Sequence, residues 1–211
     1  MRDEMSYTYL DDITKYCSKH NIQIIFKPSH KVDSGDGLLC QGYFETENGQ
    51  ASLYVGVGNE DWKEVFIHEF HHAKQYIAGQ YREEEPFIEY FQWLSGDHYM
   101  NSKTLKQHMR YIQKCELNCE KRSVQFIKKY EDQLDIDVDR YIQKANAYVF
   151  FYPLTLKYRA WTSPNKIPLT KNESILNLMP TEFIKNYNNP PKEFEDLVVK
   201  HCFKKGVKPY E

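Results

Sequence analysis

Leu10, Ile13 and Cys17 recur at the spacing of one helix face, which predicts a short helix over Tyr9–His20. The β-branched run Ile22-Gln23-Ile24-Ile25-Phe26 follows and predicts a strand that stops at Pro28. After the turn-forming stretch Asp33-Ser34-Gly35-Asp36-Gly37, two alternating segments, Leu38–Glu45 and Ser52–Val57, read as a hairpin joined through Asn48-Gly49. Asp61 then offers an N-cap for a helix from Trp62 to about Ala78, closed by Gly79.

Further on, an acidic and then aromatic segment, Glu83–His98, predicts a short helix ending at Gly96, with Glu83-Glu84-Glu85 as a solvated charge run. Leu105, Met109, Ile112, Leu117, Val124 and Ile127 fall near helical spacing between Ser102 and about Leu134. Another helix is expected over Asp139–Phe151, stopping at Pro153. The remainder, Leu154–Glu211, holds most of the prolines and reads as an irregular wrap with short helices at Pro180–Tyr187 and Glu193–Phe203. The expected class is therefore α+β: a small antiparallel or mixed sheet packed on helices, forming a core over 1–152, with an extension over 153–211 packed on it.

Composition narrows the partners. A chain of 211 residues, 41% hydrophobic, is long enough for one buried domain with an appendage. Lys plus Arg is 28 against 30 for Asp plus Glu, and no basic stripe points to nucleic acid. Five cysteines, Cys17, Cys40, Cys115, Cys119 and Cys202, lack paired C-x-x-C spacing, which favours reduced thiols in a cytoplasmic setting. The charged start Met1-Arg2-Asp3-Glu4 shows no signal peptide, and no apolar run has the length of a membrane span.

The chemistry sits in the helix after the hairpin. His68-Glu69-Phe70-His71-His72 contains His-Glu-x-x-His, which puts two imidazoles one turn apart on one face and a carboxylate about 100° round from the first. Two such imidazoles can share a zinc ion, and Glu69 can reach a water on it and act as general base. A surface helix holding three histidines and no metal would carry polar residues on most faces. Here Val65, Phe66, Phe70 and Ala73 are uncharged, with Lys74 the departure.

A catalytic zinc needs a third protein donor, and Cys115-Glu116-Leu117-Asn118-Cys119-Glu120 on the long helix is the best offer. A His-Glu-x-x-His helix followed by a helical Glu resembles the gluzincin metallopeptidases, typified by thermolysin. The resemblance covers roughly Leu10–Tyr152 and extends to small zinc peptidases encoded by tailed phages. It implies two frames. In one, Glu116 is the ligand, Cys119 the small residue at i+3 and Glu120 the acid that orients a zinc-bound histidine. In the other, found in small gluzincins that cleave prophage repressors, Glu120 is the ligand, with Ser123 and Phe126 at i+3 and i+6.

Other residues admit a functional role and a plainer one. His71, His98 and His108 are alternative ligands or transition-state donors, although lone histidines are more often core or surface residues. Cys115 and Cys119, at i and i+4, suit either metal binding with a histidine or packing. Tyr148, Tyr152 and Arg159 are oxyanion donors in one reading and packing residues in the other. Asp135-Ile136-Asp137-Val138-Asp139 lacks the Gly and terminal Glu of a calcium loop and reads as helix capping.

The expected function is zinc-dependent hydrolysis of a peptide or protein substrate, with Ser52, Tyr54 and Val55 on an edge strand that holds an extended chain. A zincin-fold binding or accessory protein with little turnover, encoded by a phage, is the first rival. A non-peptidase hydrolase with the same metal chemistry is the second.

Overall fold

The computed structural model describes residues 7–33, 39–81, 85–163 and 166–210. The turn expected at Asp33–Gly37 lies, apart from Asp33, outside the described residues, as do Met1–Glu4 and the Glu83-Glu84 part of the acidic run. The architecture is α+β, and the chain divides into two compact units, Met1–Arg82 with Arg122–Ile136 and Glu83–Lys121 with Asp137–Glu211. The division expected at 152/153 instead falls within a continuous helix.

The first unit opens with α1 (Tyr9–Lys19). Its capping box is complete: Thr8 Oγ1 accepts from the Asp11 amide while the Asp11 carboxylate accepts from the Thr8 amide. Strand β1 (Ile22–Lys27) follows, and β2 (Val32–Asp33) pairs antiparallel with β3 (Leu39–Cys40). Strands β4 (Gly42–Glu47) and β5 (Gln50–Gly56) form the expected hairpin. Asn48 and Gly49 both take positive φ, 49° and 81°, as a two-residue turn that follows strand twist requires.

The strand order corrects one expectation. The three-stranded sheet runs β1-β5-β4, with β1 parallel and β4 antiparallel to β5. Ser52, Tyr54 and Val55 therefore lie on the central strand, paired with Gln23, Ile25 and Phe26 on one side and Glu45, Tyr43 and Gly42 on the other. Their main-chain groups belong to two ladders, so they cannot form an open edge. The sheet's two edges are β1 and β4.

Helix α2 (Trp62–Ile77) packs on β5 and β4, and α1 packs on β1. Ile13, Leu53, Val55, Phe66, Ile67 and Ala73 are fully buried where these layers meet. The end of α2 is a Schellman turn: the Gln80 amide donates to Gln75 O, the Gly79 amide donates to Tyr76 O, and Gly79 takes φ 72°. Asp61 stands at the N-cap but makes no capping bond with its side chain, which instead accepts from Gln41 Nε2 at 3.4 Å.

Two further helices are α3 (Glu85–Ser95), ended by Gly96 at φ 102°, and α4 (Ser102–Lys129), a single helix contributing to both units. The helix expected to reach Leu134 breaks at Tyr130, and a separate turn, α5 (Glu131–Leu134), follows. At the break, Lys129 Nζ and Tyr130 Oη each donate to Asp12 at 2.8 Å, fixing α1 to the end of α4.

Helix α6 (Val138–Tyr158) continues past Pro153, contrary to the expected stop. Proline cannot donate to the carbonyl four residues back, that of Val149. Gln113 Nε2 donates to Val149 O at 3.0 Å and so satisfies that acceptor. Asp137 caps α6 through the Arg140 amide at 3.0 Å, which is the capping role read for this acidic stretch.

The tail is more ordered than a wrap. Two short turns, a 3-10 turn at Leu169–Lys171 and α7 (Glu173–Leu176), precede α8 (Lys192–His201). Phe150, Phe151, Leu154, Ile175, Leu176, Phe194, Val198 and Phe203 form one buried cluster, so the tail completes a core with α6. No helix forms over Pro180–Tyr187. The fully buried Asn146 holds that stretch instead, its amide nitrogen donating to Pro180 O and Glu182 O, and its oxygen accepting from the Ile184 amide and the Tyr187 hydroxyl. Among the described residues no helix is long and apolar enough to cross a membrane.

Candidate metal centre

The two histidines of the motif converge as the i, i+4 geometry demands. His68 Nε2 and His72 Nε2 are 3.0 Å apart, with ring centroids at 4.7 Å and planes at 79°. The other nitrogen of His72, Nδ1, lies 3.0 Å from Gln75 Oε1. An amide oxygen only accepts, so Nδ1 carries the proton and Nε2 keeps its lone pair for a ligand. Gln75 was missed in the sequence reading; its signal is an amide side chain three residues after the second histidine, on the same helix face.

His71 does something different. It is buried, its Nδ1 is 2.8 Å from Ile67 O, and its ring meets those of Phe70 and Phe126 edge-on. Burial pushes its pKa down to about 3, so it is a neutral core histidine. His98 is exposed, and His108 sits 3.5 Å from Glu89.

Glu69 is buried on α2 next to the start of β4. A Cβ at Gly42 would meet Val65 Cγ1 at 2.7 Å, Tyr54 O at 2.8 Å and Glu69 Cγ at 3.3 Å. Only glycine lets the edge strand come this close to the helix, and the approach sets β4 alongside the carboxylate.

On α4, Glu116, Cys119 and Glu120 are all buried. Glu120 accepts a hydrogen bond from Tyr141 Oη at 2.6 Å. Tyr152 has its pKa raised well above the ordinary phenol value by burial first and the Glu116 charge next, and its hydroxyl is 2.9 Å from that of Tyr148. Further along the helix, Phe126 packs edge-on against Phe70. Arg159 Nε donates to Trp93 O at 2.9 Å, and its guanidinium carbon lies 5.2 Å from the Trp93 ring centroid and 5.1 Å from that of Tyr210.

His68 and His72 belong to the first compact unit, and Glu116, Cys119 and Glu120 to the second. The two imidazole nitrogens are donors that zinc accepts, and the pair fits that ion. All five cysteines are thiols. No family model, curated protein or solved structure matches the chain, which leaves the site's own geometry as the ground for its chemistry.

Proposed function

We propose that this chain is a zinc-dependent hydrolase acting on peptide bonds. The observation that carries the proposal is the pair of Nε2 atoms 3.0 Å apart on α2, with the buried Glu69 next in the chain after His68. His68 and His72 would hold the ion, with a further protein donor completing the site. Gln75 keeps His72 in the tautomer that binds. A bound zinc supplies a Lewis acid and makes water acidic enough to ionise near neutral pH.

Glu69 accepts a proton from the attacking water at a carboxylate oxygen and passes it to the leaving amine. The β4 edge offers main-chain groups to an extended substrate. Gly56 N donates to Gln41 O, so the ladder alternation directs the amide and carbonyl of Phe44 away from β5 and toward the open side.

The test is metal content followed by peptide cleavage. The purified chain should hold one zinc per molecule and cleave members of a broad peptide library. Chelation should stop cleavage and zinc should restore it. A chain that binds no zinc at micromolar concentration contradicts the proposal.

A further inference from the structure

We infer that Phe44 of β4 and Tyr76 of α2 form a subsite that selects a large apolar or aromatic side chain of the substrate, on the N-terminal side of the bond that is cut. The inference rests on the hydrolase reading and names its substrate preference.

Gly42 and Phe44 stand two residues apart on β4, so their side-chain directions share one face of the sheet. At both positions that face meets α2. A Cβ at Gly42 would lie 3.3 Å from Glu69 Cγ, and the Phe44 ring lies 5.7 Å from the Tyr76 ring, tilted by 52°. The strand therefore runs along the helix in the same sense, from Glu69 toward Tyr76. Tyr76 is one turn beyond His72, on the same stripe of α2 as the motif histidines. All of these residues belong to the first compact unit. Phe44 and Tyr76 are each half-buried, which leaves part of both rings at the surface.

The ladder alternation that turns the amide and carbonyl of Phe44 to the open side of β4 does the same for Gly42. An extended substrate laid antiparallel on this edge pairs one residue with Gly42, beside Glu69. The residue two positions earlier in the substrate pairs with Phe44. Directly opposed residues put their side chains on the same face, with Cβ atoms about 5 Å apart. The earlier residue thus lays its side chain against the Phe44 and Tyr76 rings. Two tilted rings reward apolar area and edge-to-face contact, and they hold no charge to pair with Asp, Glu, Lys or Arg.

A peptide library randomised at each position, with cleavage sites read by mass spectrometry, tests this on the unmodified zinc-loaded chain. One position N-terminal to the cut should favour Phe, Tyr or Leu over Ala or Asp by about 10-fold or more in kcat/KM. Phe44→Ala and Tyr76→Ala should each flatten that ratio at this position alone, with zinc content and circular dichroism as controls. Phe44→Leu keeps the strand apolar if the alanine variant does not fold, and should lower the aromatic preference relative to the aliphatic one. Cleavage without a preference on the N-terminal side overturns the subsite and leaves the hydrolase reading standing, as does a preference that survives both alanine variants. A zinc-loaded chain that cleaves no member of the library overturns both.

Discussion

Gln75 Oε1 and His72 Nδ1 lie 3.0 Å apart, one turn of α2 joining an amide to a motif histidine. Gln75→Leu removes the acceptor that fixes the imidazole tautomer, so zinc affinity should fall by roughly 10–100-fold with the fold intact. Gln75→Glu keeps an acceptor and should retain tight binding. Competition titration against a chromophoric chelator measures both, and equal affinity in Gln75→Leu would remove Gln75 from the site.

Gln113 bears on stability. Its Nε2 donates to Val149 O, which Pro153 leaves without a helical partner, and to Tyr187 O at 3.2 Å. Gln113→Leu should cost about 1–3 kcal/mol through unsatisfied buried carbonyls, seen as a lowered Tm. In a Pro153→Ala background the restored amide can serve Val149, so the cost should shrink. An equal cost in both backgrounds would separate Gln113 from the proline.

Part of this was legible in the sequence. The turns were, because Asn48-Gly49 and Gly79 act through neighbours a few residues away; the Thr8 capping box was not read, and Asp61 makes no capping bond with its side chain. The position of β5 was not. An alternating run such as Ser52–Val57 looks the same on an edge or in the centre, and only the parallel pairing of distant β1 decides. Continuation of α6 past Pro153 likewise depends on a side chain from α4. His68, Glu69 and His72 share a local helical pattern that the sequence reveals.

Acid sensitivity should come in part from Glu195 on α8. Its carboxylate accepts from Tyr158 Oη at 2.5 Å and from Lys157 Nζ at 2.9 Å. Burial alone would raise its pKa, but the hydrogen bonds from Tyr158 and Lys157 outweigh that and hold it below the ordinary 4.5. A folded-state pKa below the unfolded one means that the stabilisation is present above about pH 4.5 and is lost as pH falls through the folded value. The Tm gap between the parent chain and Glu195→Gln should therefore be widest near neutrality and close in acid. A gap unchanged from pH 7 to pH 3 would contradict this.

Glu69 follows His68 directly in the chain, and in the proposed mechanism it takes the proton without holding the ion. Glu69→Gln keeps the shape and removes the proton acceptor. The decisive measurement is peptide turnover by the parent chain and Glu69→Gln, each with its zinc content determined on the same sample. The account predicts equal zinc in both and turnover lower by about 100-fold or more in the variant. Equal turnover by the zinc-loaded variant, or no turnover by the zinc-loaded parent chain on any member of a broad peptide library, would contradict it.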